Sequence, residues 1–421
     1  MKINEIKSEL LGESYFEIEH DSGLRIFVLS KPGYSSSYAL FGTDFGSVDT
    51  CFRLKGEEDY VTVPEGIAHF LEHKLFESEE LDAFALFSKT GASANAFTSF
   101  CQTCYLFSCC DNFDESLEIL LNFVKQPYFT EQTVQKEQGI IGQEIQMYRD
   151  DPEWQVLFNL LRAIYKNNPV RIDIAGTKES ISEITAELLY KCYNTFYNFS
   201  NMALAVVGDV TVEQICAIAD KCLKKEEPVE FEKVVPDEPD EPVCNYIEKD
   251  MKVNTKKFAI GFKEKACKTG DAKHIAAMNI LLNIICGKTS GLYHSMLDSG
   301  LINHTFYTEY FTGRGFSIPL FGGESDNPRK VLELIKEETE KLKKEGIKED
   351  DFSLSKKLLY GAEIKGFNDT DDIARQLISN YFDKCSLYSY MEAYSKISTD
   401  DVYEVLLSSF DKNKACLSVI Y

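Results

Sequence analysis

The chain has 421 residues, 44% of them apolar, with a formal charge of -23, six histidines and thirteen cysteines. That length suits two or three domains with sizeable cores. The charge argues against a nucleic-acid partner, whose phosphates need a basic surface, and no apolar run approaches the roughly 18 residues of a membrane helix.

The first residues, Met1-Lys2-Ile3-Asn4-Glu5-Ile6-Lys7-Ser8, lack the hydrophobic stretch of a signal peptide. The odd cysteine count, without the spacing of a small disulfide scaffold, fits a reducing compartment. Together these predict a cytoplasmic protein. The acidity suits solubility as readily as it suits the steering of cationic peptides.

Ile18, Leu24, Ile26 and Val28 take strand positions around an Asp21-Ser22-Gly23 turn. A second run, residues 38–52, holds Gly42, Gly46 and Ser47. Then comes Gly66-Ile67-Ala68-His69-Phe70-Leu71-Glu72-His73, with Pro64 as a helix start. On a helix, His69 and His73 lie about 40° apart around the axis, and Glu72 projects from the same side. Two imidazoles one turn apart can grip one metal ion, and a carboxylate between them can hold a water bound to it. This is the inverted form of the His-Glu-x-x-His zinc arrangement. A solvated or core histidine pair is the plainer alternative. It is the weaker one, because burying three such groups in an apolar run is costly unless something compensates them.

Residues 78–89 read as a helix ending at Gly91. Residues 92–100 and 103–108 read as a strand pair or one long bent strand. Cys101 and Cys104, with Cys109-Cys110 behind, lack the second spaced pair of a zinc knuckle. They read as small apolar strand residues. Helical patterning runs from Phe113 to about Trp154. Thr130 or Thr133 opens the helix that carries Glu137 and Glu144. These two acids share a face within about 20°, beside Ile140, Ile141 and Ile145. A solvated acidic stripe is the plainer alternative. Asp150-Asp151-Pro152 ends that helix. Helices then alternate with loops to Tyr197, a strand covers residues 202–207, and a helix covers residues 212–223.

Pro228, Pro236, Pro239 and Pro242 lie among acids. Residues 226–245 therefore read as an extended charged linker. After it the order of the first half returns. Ile184-Thr185-Ala186-Glu187-Leu188-Leu189-Tyr190 aligns with Ile397-Ser398-Thr399-Asp400-Asp401-Val402-Tyr403 at an offset of 213. Asn201-Met202-Ala203-Leu204 aligns with Asn413-Lys414-Ala415-Cys416 at 212. The chain reads as two homologous domains, residues 1–225 and 246–421. Where the first carries the His-Glu-His helix, the second has Leu281-Leu282-Asn283-Ile284-Ile285, with no metal-ligand types. The expected fold class is α+β, each domain a largely antiparallel sheet with helices packed on one face.

The chain resembles the pitrilysin/insulysin family of zinc peptidases, the inverzincins, and within it the short bacterial members similar to mitochondrial processing peptidase. The resemblance rests on the Gly-x-Ala-His-Phe-Leu-Glu-His core, Asn95-Ala96-x-Thr98, and the two glutamates with Asp-Pro behind. Ala175-Gly176-Thr177-Lys178-Glu179-Ser180-Ile181 and Val207-Gly208-Asp209 add to it. It implies a Zn²⁺ ion held by His69, His73 and Glu144, with Glu137 supporting the site. The spacing from His73 to Glu144 is slightly short for the family, so Glu137 stays open as the third ligand. The resemblance further implies Glu72 as general base and Asn95 and Ala96 on a strand edge that binds a peptide as an extra strand. The implied activity is a zinc endopeptidase for short or unfolded peptides, leader-type peptides among them. The other reading is a non-catalytic peptide-binding or assembly subunit.

One family feature is missing. Members carry an Arg and a Tyr in the second half, six residues between them, that polarise the substrate carbonyl. Here Asp298 stands near the Arg position and Asn303 or His304 near the Tyr position. Tyr307, Tyr310 and Arg314 do not match the spacing. The expectation is a homodimer or heterodimer, with a homologous subunit supplying the pair in the second case. Gly313-Arg314-Gly315 and Gly322-Gly323 read as hairpin turns at least as readily as a gating loop.

Overall fold

The computed structural model describes residues 1–77 and 82–421. By backbone proximity the chain divides into two units. The first comprises Met1–Ile145, Asp173–Val234 and Lys365–Leu387; the second comprises Gln146–Ile172, Val235–Ile364 and Tyr388–Tyr421. The fold class is α+β, and sheets with mostly antiparallel pairing occur in both units.

The first unit contains, in chain order, β1 (Lys2–Ser8), β2 (Glu13–Glu19), β3 (Arg25–Ser30), β4 (Ser37–Thr43), β5 (Cys51–Leu54), β6 (Val61–Thr62), β7 (Ser93–Thr98), β8 (Thr103–Cys109), β9 (Met202–Gly208) and β10 (Phe231–Lys233). Seven of them form one sheet in the order β1-β2-β3-β9-β4-β8-β7, and β10-β5-β6 form a small second one. Only the β3–β9 pairing in the large sheet is parallel. β4 and β9 sit in its middle, and every residue of both is buried. Among the described residues β7 pairs with β8 alone, from Ser93↔Ser108 to Thr98↔Thr103, so its other edge is open. Residues 92–108 are thus a hairpin, which settles the strand-pair alternative. Cys104 and Cys109 are buried in β8, as the apolar reading of these cysteines has it, whereas Cys101 lies between the two strands and Cys110 is exposed.

One face of this sheet is covered by helices from the first half of the sequence. Tyr105 and Phe107 point there, onto Phe76, Phe87, Phe113 and Phe123. Residues 78–81, the start of the helix expected over 78–89, lie outside the described residues. A helix runs Ala83–Thr90, capped by Asp82 and ended by Gly91.

The opposite face is covered by the Thr370–Phe382 helix, from the far end of the chain. Gly42 makes this possible: a Cβ there would lie 2.8 Å from Ile378 Cγ2 and 3.4 Å from Phe382. The second unit has β11 (Tyr246–Lys249), β12 (Lys257–Phe262), β13 (Tyr307–Gly313), β14 (Phe316–Glu324) and β15 (Ala415–Ile420), in the order β11-β15-β12-β14-β13. Its core is built on the Ala272–Cys286 helix, where Leu281, Leu282, Ile284 and Ile285 are all buried. The other face of this sheet receives the Pro152–Ile164 helix from the first half of the chain. Here Gly261 opens the way, its missing Cβ standing 2.8 Å from Ile164 Cδ1 and 3.2 Å from Leu160 Cδ2.

A single cut near residues 226–245 therefore does not divide the chain. Each half lends one helix to the other's sheet, because each sheet has a second apolar face that its own helices leave bare. The acidic linker is also more ordered than its composition suggested. β10 pairs with β5 in the first unit. In the second unit, Glu238 accepts from the backbone amides of Lys166, Asn167 and Asn168 at 2.7–2.8 Å. The buried Lys263 donates to the same carboxylate at 2.8 Å. Burial pushes the Glu238 carboxyl up, but these bonds outweigh it and hold the group below its ordinary value. Arg314 and Gly315 form the β13–β14 hairpin turn, with Gly315 at φ +80° and Gly313 the last residue of β13, whereas Gly322 and Gly323 lie inside β14. No single helix among the described residues is long and apolar enough to cross a membrane.

Candidate metal centre

The His-Glu-His helix runs Ile67–Leu75. It starts three residues after Pro64 because Gly66 takes the left-handed conformation, φ +87°. A Cβ on Gly66 would stand 2.5 Å from the Ala175 carbonyl oxygen. Ser180 Oγ donates to the neighbouring Glu65 carbonyl at 2.9 Å. The Ala-Gly-Thr loop thus fixes where the helix begins, and Gly66→Ala is expected to cost at least about 2 kcal/mol through the positive φ and the clash. Urea denaturation of the variant checks this.

Ile67, Phe70, Leu71 and Leu75 anchor the helix in the core and leave His69, Glu72 and His73 along its other side. His69 is 8% exposed. The Glu131–Asp150 helix brings up the two acids, with Val134, Ile141 and Ile145 as its buried stripe. His69 Nε2 lies 3.6 Å from Glu144 Oε1, and His73 Nε2 lies 3.4 Å from Glu144 Oε2. One ligand atom from each of His69, His73 and Glu144 lies within 4.8 Å of the others. A tetrahedral ion bound at about 2.0–2.2 Å sets its ligand atoms roughly 3.4 Å apart. The two short separations match that figure, and two imidazoles with one carboxylate are a zinc donor set with a fourth position left over. The residues fit the ion.

Glu137 takes a different place. Its carboxylate, 7% exposed, meets His73 Nδ1 at 3.0 Å, on the ring edge away from Glu144. Burial opposes a charge on His73, but the bonds to Glu137 and Glu144 outweigh it and raise the free imidazole to about 10. Glu72 borders the same cavity as Glu137. Its Oε2 accepts from Thr98 Oγ1 at 2.6 Å. Glu72, His73, Glu137, Asn95 and Ala96 share the lining of a cavity of about 300 Å³, with Phe76 and Phe84 stacked 4.4 Å apart at its wall. Asn95 is exposed on β7, and its Oδ1 accepts from the Ala96 amide at 2.9 Å. All seven residues singled out in the sequence thus lie in the first unit, around one helix and one strand edge.

Two neighbours were not singled out. Thr98 stood in the sequence pattern, but its bond to Glu72 shows only in the fold. Lys74, fully buried and paired with Glu77, follows directly on His73. Its spacing to Glu77 was the available signal.

The model of the insulinase family, peptidase family M16, matches residues 61–178, and that of the peptidase M16 inactive domain matches residues 183–359. An uncharacterized zinc protease of Bacillus subtilis, YmfH, is 41% identical over 412 residues, covering 96% of each chain. The chain belongs to peptidase family M16. A crystal structure of an M16-like chain from Alicyclobacillus acidocaldarius superposes with a TM-score of 0.93 at 32% identity, over 96% of this M16 chain and 97% of the other. A chain of Arabidopsis thaliana named as a probable beta subunit of mitochondrial-processing peptidase is 26% identical over 269 residues, 62% of this chain and 49% of its own.

Proposed function

We propose that this M16 chain is a zinc-dependent endopeptidase that cuts short or unfolded peptides. The observation that carries the reading is the convergence of His69 Nε2 and His73 Nε2 on the two oxygens of Glu144. These three side chains would hold Zn²⁺. Glu137, bonded to His73 Nδ1, sets the tautomer that leaves Nε2 available and orients the ring. The bound ion supplies Lewis acidity and lowers the pKa of water near it. Glu72, steadied by Thr98, takes a proton from the attacking water and returns it to the leaving amine. The open edge of β7 at Asn95 and Ala96 takes the substrate backbone as an added strand. For that, the Asn95 side chain turns off the Ala96 amide. No disulfide joins the cysteines among the described residues, which supports a cytoplasmic setting.

A partner subunit belongs to the proposal. Asp298 is exposed at the end of the Gly291–Asp298 helix, and Asn303 is engaged with Glu324 at 2.8 Å. Neither offers what an Arg and a Tyr would. A missing carbonyl-polarising pair is expected to lower kcat about 100- to 1000-fold. A homologous subunit that carries the pair and lacks the metal ligands would restore it. The relative whose name marks it as one subunit of a peptidase supports this arrangement. Peptide digestion by the chain alone and by the chain co-expressed with such a partner tests it. Full activity from this chain by itself overturns the heterodimer.

A further inference from the structure

The open edge of β7 has two faces, and the metal cluster uses one. Thr98 points to the metal-site helix and bonds Glu72, and by alternation Ala96 shares that face. Phe97 points the other way, as does Cys104, its partner in β8. On that side the Thr370–Phe382 helix is fastened to the hairpin, where Gln102 Nε2 donates to Ser379 Oγ at 3.1 Å. The helix sets the Arg375 guanidinium 4.7 Å from the centre of the Phe97 ring.

Arg375 is poorly engaged there. Its Nη2 donates to Tyr38 Oη at 3.3 Å, and its Nε faces Asp371 at 3.8 Å. Both distances are long. Nη1 makes no hydrogen bond among the described residues, and the side chain is 42% exposed. Asp369 and Asp372 are the other charged groups at the start of this helix. The bond from Asp369, together with burial, raises the Asp371 carboxyl above its ordinary value against the opposing pull of the Arg375 charge. A planar fork is thus stacked on a ring beside a strand edge that has no partner.

We propose that Arg375 selects peptides with a carboxylate side chain, Asp or Glu, at the residue that comes to lie opposite Phe97 on the face of the added strand turned away from the metal. The inference rests on β7 being the substrate edge. Opposed residues in neighbouring strands bring their Cβ atoms to about 4.5–5.5 Å. A one- or two-carbon stem then carries a carboxylate onto the guanidinium, where paired N–H groups hold it in a fixed geometry. On a chain of charge -23 an acidic side chain is repelled elsewhere. One favoured acidic position among disfavoured neighbours is the signature.

The test scans Glu against Gln through each position of a cleaved ten-residue peptide. Cleavage is read with the chain and its partner, and binding is read by fluorescence anisotropy on the Glu72→Gln form. Wild type should prefer Glu at one position only, by about ten-fold in kcat/KM and in Kd. Arg375→Gln should erase the preference and Arg375→Lys should keep part of it. A preference that survives Arg375→Gln, or none at any position, overturns the inference while cleavage keeps the peptidase reading intact. Binding that shows the preference without any cleavage supports Arg375 and removes the peptidase. If nothing is bound or cut, both fall. Circular dichroism of Arg375→Gln confirms that the variant is folded.

Discussion

Glu72→Gln is expected to lower peptide cleavage by about a thousand-fold and to leave zinc bound. The amide keeps the shape of the side chain and its contact with Thr98 but cannot take a proton. Glu72 is not among the three side chains whose ligand atoms converge, so metal content, read by elemental analysis, is expected to stay at the wild-type value. Unchanged cleavage would show that another group is the base. A chain whose role is only to bind peptide or to hold an assembly together would show no cleavage in either form, so the same pair of measurements separates the two readings of this fold.

The second large effect separates the two acids of the long helix. Glu144→Gln removes the negative charge of the third donor and replaces one of its two oxygens with an amide nitrogen, and zinc affinity should fall about a thousand-fold. Glu137→Gln leaves all three donors in place and loosens only the His73 ring. A change behind a ligand weakens metal binding by about 10- to 100-fold. Competition with a fluorescent chelator at pH 7.5 measures both. If the two variants are reversed in order, Glu137 is the ligand and the His73 ring must turn to meet it. The present geometry argues for the first order, because Glu144 alone faces both Nε2 atoms.

The grouping of His69 and His73 on one helix face, and of Glu137 and Glu144 on another, was legible in the sequence because helical spacing is local. Two imidazoles four residues apart and two carboxylates seven apart fix which side chains share a face before any tertiary contact exists. Which acid stands in front of His73 and which behind was not legible. That depends on how the Glu131–Asp150 helix is placed along the metal-site helix, a matter of side-chain packing between segments some 60 residues apart. The start at Ile67 rather than Pro64 turned on the close approach of residues 175 and 176. The exchange of helices left no local mark either. The Pro152–Ile164 and Thr370–Phe382 helices are amphipathic in the ordinary way, and nothing in that pattern names the sheet they cover. Gly42 and Gly261 carried the signal, but a glycine in a strand reads equally as a bulge. Arg375 was hidden for the same reason, being some 280 residues from Phe97 in the chain.

The exchanged helices set an order on synthesis. The sheet that holds β4 and β9 is complete once Gly208 has been made, yet the helix that closes its second face begins at Thr370. At ordinary ribosomal speed that is a wait of about 10 to 30 s. Throughout it, a nascent chain with its β-strands already emerged presents an uncovered greasy surface. Such an intermediate is a natural client for a chaperone at the exit tunnel. A gene split at the linker should yield two insoluble fragments that recover only when translated together.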